Sequence, residues 1–262
     1  MISADYGTVE LNPRQQAMLN LVHEQGFVSV EDLAQHFSVT SQTIRRDIND
    51  LCSVGLLRRY HGGAGLPSSV ENVAYQARQV LRPEAKEKIA EGLAARIPNH
   101  ASLYMTLGTT TEAVARALRD HRGLRVITNN LNVASILADN PACEVIVAGG
   151  VVRHRDRGIT GEATIDFMNQ FKADYAVIGI SGIEADGTLL DFDYREVRVL
   201  QIIMANARSV LLAADRSKFG RNALVRVADL SQISELHTDA EPPITIRRCL
   251  EEHGGRVFVT DS

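Results

Sequence analysis

The chain of 262 residues carries 28 basic and 32 acidic side chains, a formal charge of −4, with 45% hydrophobic and 23% charged residues. That balance excludes disordered, collagen-like and extended coiled-coil classes, and it leaves a globular protein of one large domain or two unequal ones. No apolar run approaches the roughly 18 residues that span a bilayer, and Met1-Ile2-Ser3-Ala4-Asp5 lacks the basic and apolar regions of a signal peptide. The cysteines Cys52, Cys143 and Cys249 are too scattered for a disulfide framework or a zinc cage. A reduced, cytoplasmic protein without membrane, metal or cofactor is the expectation.

Three short helical patterns open the chain. Pro13–Gln25 carries Met18, Leu19, Leu21 and Val22 on one stripe and stops at Gly26. Ser29 suits the N-cap of a second helix, with Asp32 three residues on, and places Val30, Leu33, Ala34 and Phe37 inward. The turn Ser38-Val39-Thr40 leads to a third helix over 41–53, with Ile44, Ile48 and Leu51 inward and Gly55 beyond its end. Leu56–Tyr60 then reads as a strand and His61–Gly65 as a tight turn. This is the order of a winged helix-turn-helix. It predicts a DNA-binding domain over 1–66, a linker over 67–83 with a short helix around 72–79, and an α/β domain over 84–262.

The third helix exposes Ser41, Gln42, Thr43, Arg45, Arg46 and Asn49, residue types that read base edges or hold phosphates. Arg58, Arg59 and His61 add to the DNA-binding set from the hairpin. Within 41–65 four arginines (Arg45, Arg46, Arg58, Arg59) against two acids (Asp47, Asp50) give a local charge of +2 in a protein of −4. The competing reading is a three-helix scaffold with a solvated charged face.

After Pro83 helices and strands alternate: helix 84–97, strand 102–107, helix 111–120, strand 124–128, helix 131–139 and strand 143–148. A basic loop follows, then helix 162–171, strand 174–181, helix 194–207, strand 209–214, a less regular tail, helix 243–253 and strand 256–260. The alternation predicts a Rossmann-like, mostly parallel sheet whose ligand sits at the carboxyl ends of its strands. The loops there carry the groups that hold a phosphorylated small molecule. Gly108, Thr109, Thr110 and Thr111 precede a helix, either as an anion cradle or as a cap with spare threonines. Asn129 and Asn130 suit a ligand contact or a helix cap equally. Gly149, Gly150, Arg153 and Gly161 come from the basic loop, Ser181 and Gly182 from the next strand end. Lys218 is an anion partner or a solvated loop lysine.

Ser41-Gln42-Thr43-Ile44-Arg45-Arg46-Asp47-Ile48-Asn49-Asp50-Leu51 followed by Arg59-Tyr60-His61-Gly62-Gly63-Ala64 resembles the DNA-binding signature of the DeoR family of bacterial transcriptional repressors, over Arg14 to Pro67. The second half resembles the family's effector-binding domain, similar in fold to ribose-5-phosphate isomerase and glucosamine-phosphate deaminase. The stretches Thr128–Ala134, Gly158–Phe167, Phe192–Arg198 and Ser217–Ala223 look like the branch of the family that answers to glycerol 3-phosphate. The resemblance implies a homodimer or homotetramer that binds double-stranded operator DNA and is released by a phosphorylated effector, with glycerol 3-phosphate suspected. Leu200-Gln201 stands where the family usually shows a basic pair, which puts effector identity or affinity in question.

An enzyme is the rival reading. Enolisation needs a carboxylate base, and Ser181 stands where the resembling isomerases carry acidic residues, although Asp191 and Glu196 remain as carboxylates. A structural interaction module leaves the arginine-rich helix unexplained. A repressor with a phosphate-sensing domain, and no catalysis, is the expectation.

Overall fold

The structure, a computed structural model, describes residues 11–25, 27–53, 56–60, 62–65 and 75–260. The chain divides into two units, Met1–Leu81 and Arg82–Ser262. His61, the stops at Gly26 and Gly55, Leu66 and residues 67–74 of the expected linker lie outside the described residues.

In the first unit, α1 (Pro13–Gln25), α2 (Val30–His36) and α3 (Ser41–Ser53) enclose a core of Met18, Leu19, Val22, Leu33, Ile44, Ile48 and Leu51. Ser29 caps α2: its Oγ accepts from the Asp32 amide at 3.0 Å and donates to the Asp32 carboxylate at 2.7 Å. The sheet differs from the expected hairpin. Strands β1 (Phe27–Ser29), β2 (Arg58–Tyr60) and β3 (Gly63–Gly65) pair antiparallel in the order β1-β3-β2. Gly63-Ala64-Gly65 is therefore the central strand rather than part of a turn, and all three residues are buried. Glycines punctuate turns in sequence, but here the small size of Gly63, Ala64 and Gly65 admits a strand against the helices. A three-residue β1 is too short to show a period. The short helix of the linker is α4 (Tyr75–Val80).

The second unit begins with α5 (Pro83–Ala94) and β4 (Ser102–Met105), then α6 (Thr109–Ala117), β5 (Leu124–Thr128), α7 (Leu131–Ala138) and β6 (Cys143–Val147). A two-stranded hairpin of β7 (Val151–Val152) and β8 (Ile159–Thr160) leads to α8 (Glu162–Met168) and β9 (Ala173–Ile178). Next come β10 (Gly182–Ile183), β11 (Thr188–Asp191), α9 (Tyr194–Ala205), β12 (Ala207–Ala213) and β13 (Val225–Asp229). The chain closes with β14 (Glu235–Thr238), α10 (Ile244–Glu252) and β15 (Arg256–Val259). Seven strands form one parallel sheet in the order β15-β14-β12-β9-β4-β5-β6. A separate antiparallel sheet, β10-β11-β13, lies in what the sequence presents as loop and irregular tail. The charged residues of β14 (Glu235-Leu236-His237-Thr238, all buried) mask it as a strand.

Alternation along the strands sorts the helices onto two faces, as the pleat requires. Leu103, Met105, Val177, Leu211 and Ala213 pack with α5, α6 and α7, while Tyr104, Ala176, Ile178, Val210 and Leu212 pack with α8, α9 and α10. The sheet grows from β4 through β5 to β6 in one direction and from β9 through β12 to β15 in the other. The reversal between β4 and β9 opens a crevice at their carboxyl ends, where open α/β sheets bind ligands. No helix among the described residues is long and apolar enough to cross a membrane, and no group of His, Cys, Asp or Glu among them could hold a metal ion.

Candidate DNA-reading face and ligand site

On α3 the structure leaves Gln42, Arg45, Arg46 and Asn49 exposed and Ser41 and Thr43 half-buried. The helix is fixed from behind and from its start. Asp47 turns inward and pairs with Arg14 Nε at 2.6 Å. Thr40 Oγ1 accepts from the Thr43 amide at 3.2 Å and lies 2.9 Å from the Thr43 hydroxyl. Thr43 is thus engaged in the cap, and Thr40 and Arg14 are positioning residues that a face-by-face reading of α3 passes over. Arg58 and Arg59 are exposed on β2, and Arg59 Nη1 donates to Asn49 Oδ1 at 3.1 Å. That bond ties the wing to the helix. Arg59 is thereby held beside α3, whose exposed Arg45 and Arg46 suit phosphates and guanine edges, whereas Arg58, its neighbour in β2, points to the other face of that strand.

In the second unit Thr106 and Leu107 follow β4, Asn129 follows β5 and Gly179 follows β9; together with Asp191, Glu196 and Leu200 they line a cavity of about 20 Å³ at the β4/β9 reversal. That is room for one water. Of the residues expected to hold an effector, Asn129 is the one bordering this cavity. Its Nδ2 donates to the Ile159 carbonyl at 3.0 Å, and its buried Oδ1 has no partner among the described residues. A buried unpaired acceptor is costly in a fold and marks a place where a donor is wanted.

The neighbouring residues divide between cradle and scaffold. Gly108 begins α6 at φ 141°, a backbone region that excludes side chains, so the chain can turn from β4 straight into the helix. Thr109 and Thr110 stand in the first turn, where helix amides without intrahelical acceptors gather. Thr111 is turned inward: it is fully buried and its hydroxyl donates to the carbonyls of Thr106 (3.0 Å) and Gly108 (2.6 Å). Asn130 is likewise a cap, accepting from the Asn132 amide at 2.9 Å while its Nδ2 donates to Thr106 O and Glu112 Oε1, each at 3.3 Å.

Gly149 and Gly150 make the turn from β6 into β7, with the Gly149 carbonyl accepting from the Thr164 hydroxyl, and Gly161 caps α8. Gly182 is required by close approach, since a Cβ there would sit 1.9 Å from the Arg221 carbonyl oxygen. Ser181 Oγ donates to Asp191 Oδ1 at 3.0 Å. Arg153 is not an open cation. It pairs with Asp156 at 2.6 Å, with Asp193 at 2.9 Å and with Glu196. Burial opposes its charge, but these three carboxylates outweigh burial and raise its pKa further. Glu196 is pushed above the usual carboxylate range by burial and by Asp191, against the pull of Arg153. Lys218 lies in a 3-10 turn after β12, where its charge acts on Asp215. Burial alone would raise the Asp215 pKa, yet Lys218, the Ser217 hydrogen bonds and Arg82 hold it at about 2. Leu200, at the departure from the family pattern, lines the cavity, and Gln201 Nε2 donates to the Val227 carbonyl at 2.8 Å. The two thus serve packing, which places no cation there.

Residues 14–70 match the DeoR-like helix-turn-helix domain and residues 81–240 the DeoR C-terminal sensor domain. The chain is 49% identical to the glycerol-3-phosphate regulon repressor of Escherichia coli (strain K12) over 240 residues, 92% of this chain and 95% of that protein. It is 44% identical to the HTH-type transcriptional repressor CsqR of the same organism over 241 residues, 92% of each chain. Among solved structures, ribose 5-phosphate isomerase A from Methanocaldococcus jannaschii has a TM-score of 0.39 at 13% identity, covering 52% of this chain and 54% of that one, too slight a likeness to carry an inference. With a DeoR-like helix-turn-helix in one unit and the family's sensor domain in the other, the chain belongs to the DeoR family and is a transcriptional regulator, not an enzyme.

Proposed function

We propose that this regulator represses genes of glycerol 3-phosphate metabolism and leaves its operator when glycerol 3-phosphate binds at the carboxyl end of the parallel sheet. The unpartnered Asn129 Oδ1 in the β4/β9 crevice is the observation that carries the reading. It accepts from a ligand hydroxyl, beside Asp191 and Glu196, whose carboxylates also suit hydroxyl groups. The α6 N-terminus with Thr109 and Thr110, joined by Lys218, takes the phosphate. A cavity of about 20 Å³ is smaller than a three-carbon phosphate, so the effector selects a form in which α9 stands further from the β4 and β9 loops. The protein acts in the cytoplasm as a homodimer or homotetramer, because a helix-turn-helix reads paired half-sites by two-fold symmetry.

The test is anisotropy of labelled operator DNA at one fixed salt concentration, since phosphate contacts make affinity strongly salt-dependent. Glycerol 3-phosphate should release the wild-type protein. Arg45→Ala and Arg46→Ala should each weaken operator binding by about 1–3 kcal/mol and keep effector binding. Lys218→Ala should keep operator binding and lose about 1.5–3 kcal/mol of effector affinity. Wild-type operator affinity in both arginine variants would remove α3 as the reading helix, and retention of the operator at saturating glycerol 3-phosphate would remove the effector.

A further inference from the structure

The polypeptide enters the second unit through Arg82, whose backbone is left-handed (φ 49°, ψ 52°) directly before Pro83. A side chain in that region is strained, and a following proline restricts it further, so surrounding structure has to hold it there. Two buried carboxylates face its side chain. Arg82 Nε is 4.0 Å from Asp215 Oδ1, and Nη1 is 4.0 Å from Asp239 Oδ2. Asp215 follows β12 and Asp239 follows β14, neighbouring strands of the parallel sheet, so both stand at its carboxyl edge.

The same carboxylates shape the loop that carries Lys218. Asp215 Oδ1 accepts from the amide and the hydroxyl of Ser217. Asp239 accepts from the Arg216 amide at 2.7 Å and from its guanidinium at 2.8 Å. The carboxylates that face Arg82 and those that hold the loop are therefore the same two side chains. A rearrangement of residues 215–218 moves the groups on which Arg82 rests, and the linker joins the chain immediately before it.

We propose that Arg82, held between Asp215 and Asp239, is the positioning residue through which the Lys218 loop sets the linker and thereby the operator affinity of the N-terminal unit. This rests on the reading of the protein as an effector-released repressor, but its decisive test contains no effector. Ser217→Ala removes a loop contact to Asp215 without touching the DNA-reading face. Operator affinity is measured for the wild type, Ser217→Ala, Arg82→Ala and the double variant, all full-length, with melting curves to confirm folding. Ser217→Ala should shift operator affinity by about fivefold in the wild-type background and by less than about twofold beside Arg82→Ala. Arg82→Lys, which restores a cation, should restore the shift. Arg82→Gln, close in shape and uncharged, replaces Arg82→Ala if that variant does not fold. Equal shifts in both backgrounds, or no shift in either, overturn the proposal.

A second arm separates coupling from mere stability. Calorimetry should find Arg82→Ala binding glycerol 3-phosphate within about twofold of wild type, while the effector-induced loss of operator affinity falls by about fivefold or more. A parallel loss of both overturns the clamp as a transmitter. Failure of glycerol 3-phosphate to release the wild-type protein counts against the effector reading alone, because the effector-free cycle still decides the clamp.

Discussion

Asp215, just past β12, joins two roles in one side chain: it organises the Lys218 turn and it faces Arg82. Its folded pKa of about 2 lies below the ordinary 3.8, so the deprotonated form is favoured by the fold. The stabilisation is complete above the unfolded-state pKa and is lost as pH falls through the folded one, between about pH 4 and about pH 2. The gap corresponds to about 2 kcal/mol. Urea unfolding as a function of pH should show that loss in the wild type, and Asp215→Asn should flatten the curve over this range while lowering stability at pH 7. A variant whose acid profile matches wild type would place the acid sensitivity on other carboxylates. The chemistry of this residue was not legible from its position in Asp215-Arg216-Ser217-Lys218, where the lysine draws notice as an anion partner. Only the return of Arg82 and Asp239 to the same spot reveals what the aspartate does.

At the scale of the element, the threonine and asparagine loops show how a ligand-like motif can also be a cap. Asn130 holds the first turn of α7, the Thr106 carbonyl and Glu112 together. Asn130→Ala removes the cap and leaves buried groups unpaired, at a cost of about 1–3 kcal/mol. Calorimetry should show the second unit melting lower by about 2–4 °C for each kcal/mol, with operator contacts by the first unit unchanged. An unchanged melting temperature would mean that the cap is replaceable. Asn129, one residue earlier, is the reverse case: the same side chain with an acceptor left over. The two look alike in sequence because both follow a strand. Both are buried; their hydrogen-bond partners, supplied by β8 and α6 approaching from elsewhere in the chain, separate them.

For the molecule as a whole, each unit has its own core: Met18, Leu33, Ile44 and Leu51 in the first, and the two faces of the seven-stranded sheet in the second. Residues 82–262 produced alone should therefore fold and bind glycerol 3-phosphate with the affinity of the full chain while showing no operator binding. Titration calorimetry of this fragment checks the expectation; loss of effector binding in a folded fragment would mean that the first unit contributes to the site. The salt dependence of operator binding should belong to the full-length protein and diminish with each arginine removed from 45, 46, 58 or 59.

Periodic and chemical signals of the chain itself determined the helix order of the first unit, the exposed face of α3 and the βαβ alternation of the second. These depend on local spacing: apolar residues at 3.6 or 2 positions, caps, and glycine or proline at ends. The same local logic led Gly63–Gly65 to be read as a turn and hid β14, because a strand made of small or charged residues is recognised only by the neighbours that bury it. Tertiary structure alone decided that Arg153 is neutralised by Asp156, Asp193 and Glu196, that Thr111 and Asn130 face inward, and that Asp191, Glu196 and Leu200 meet Asn129 at the β4/β9 reversal. Charge pairing and burial act through space between residues far apart in the chain, so no reading along the chain can assign them.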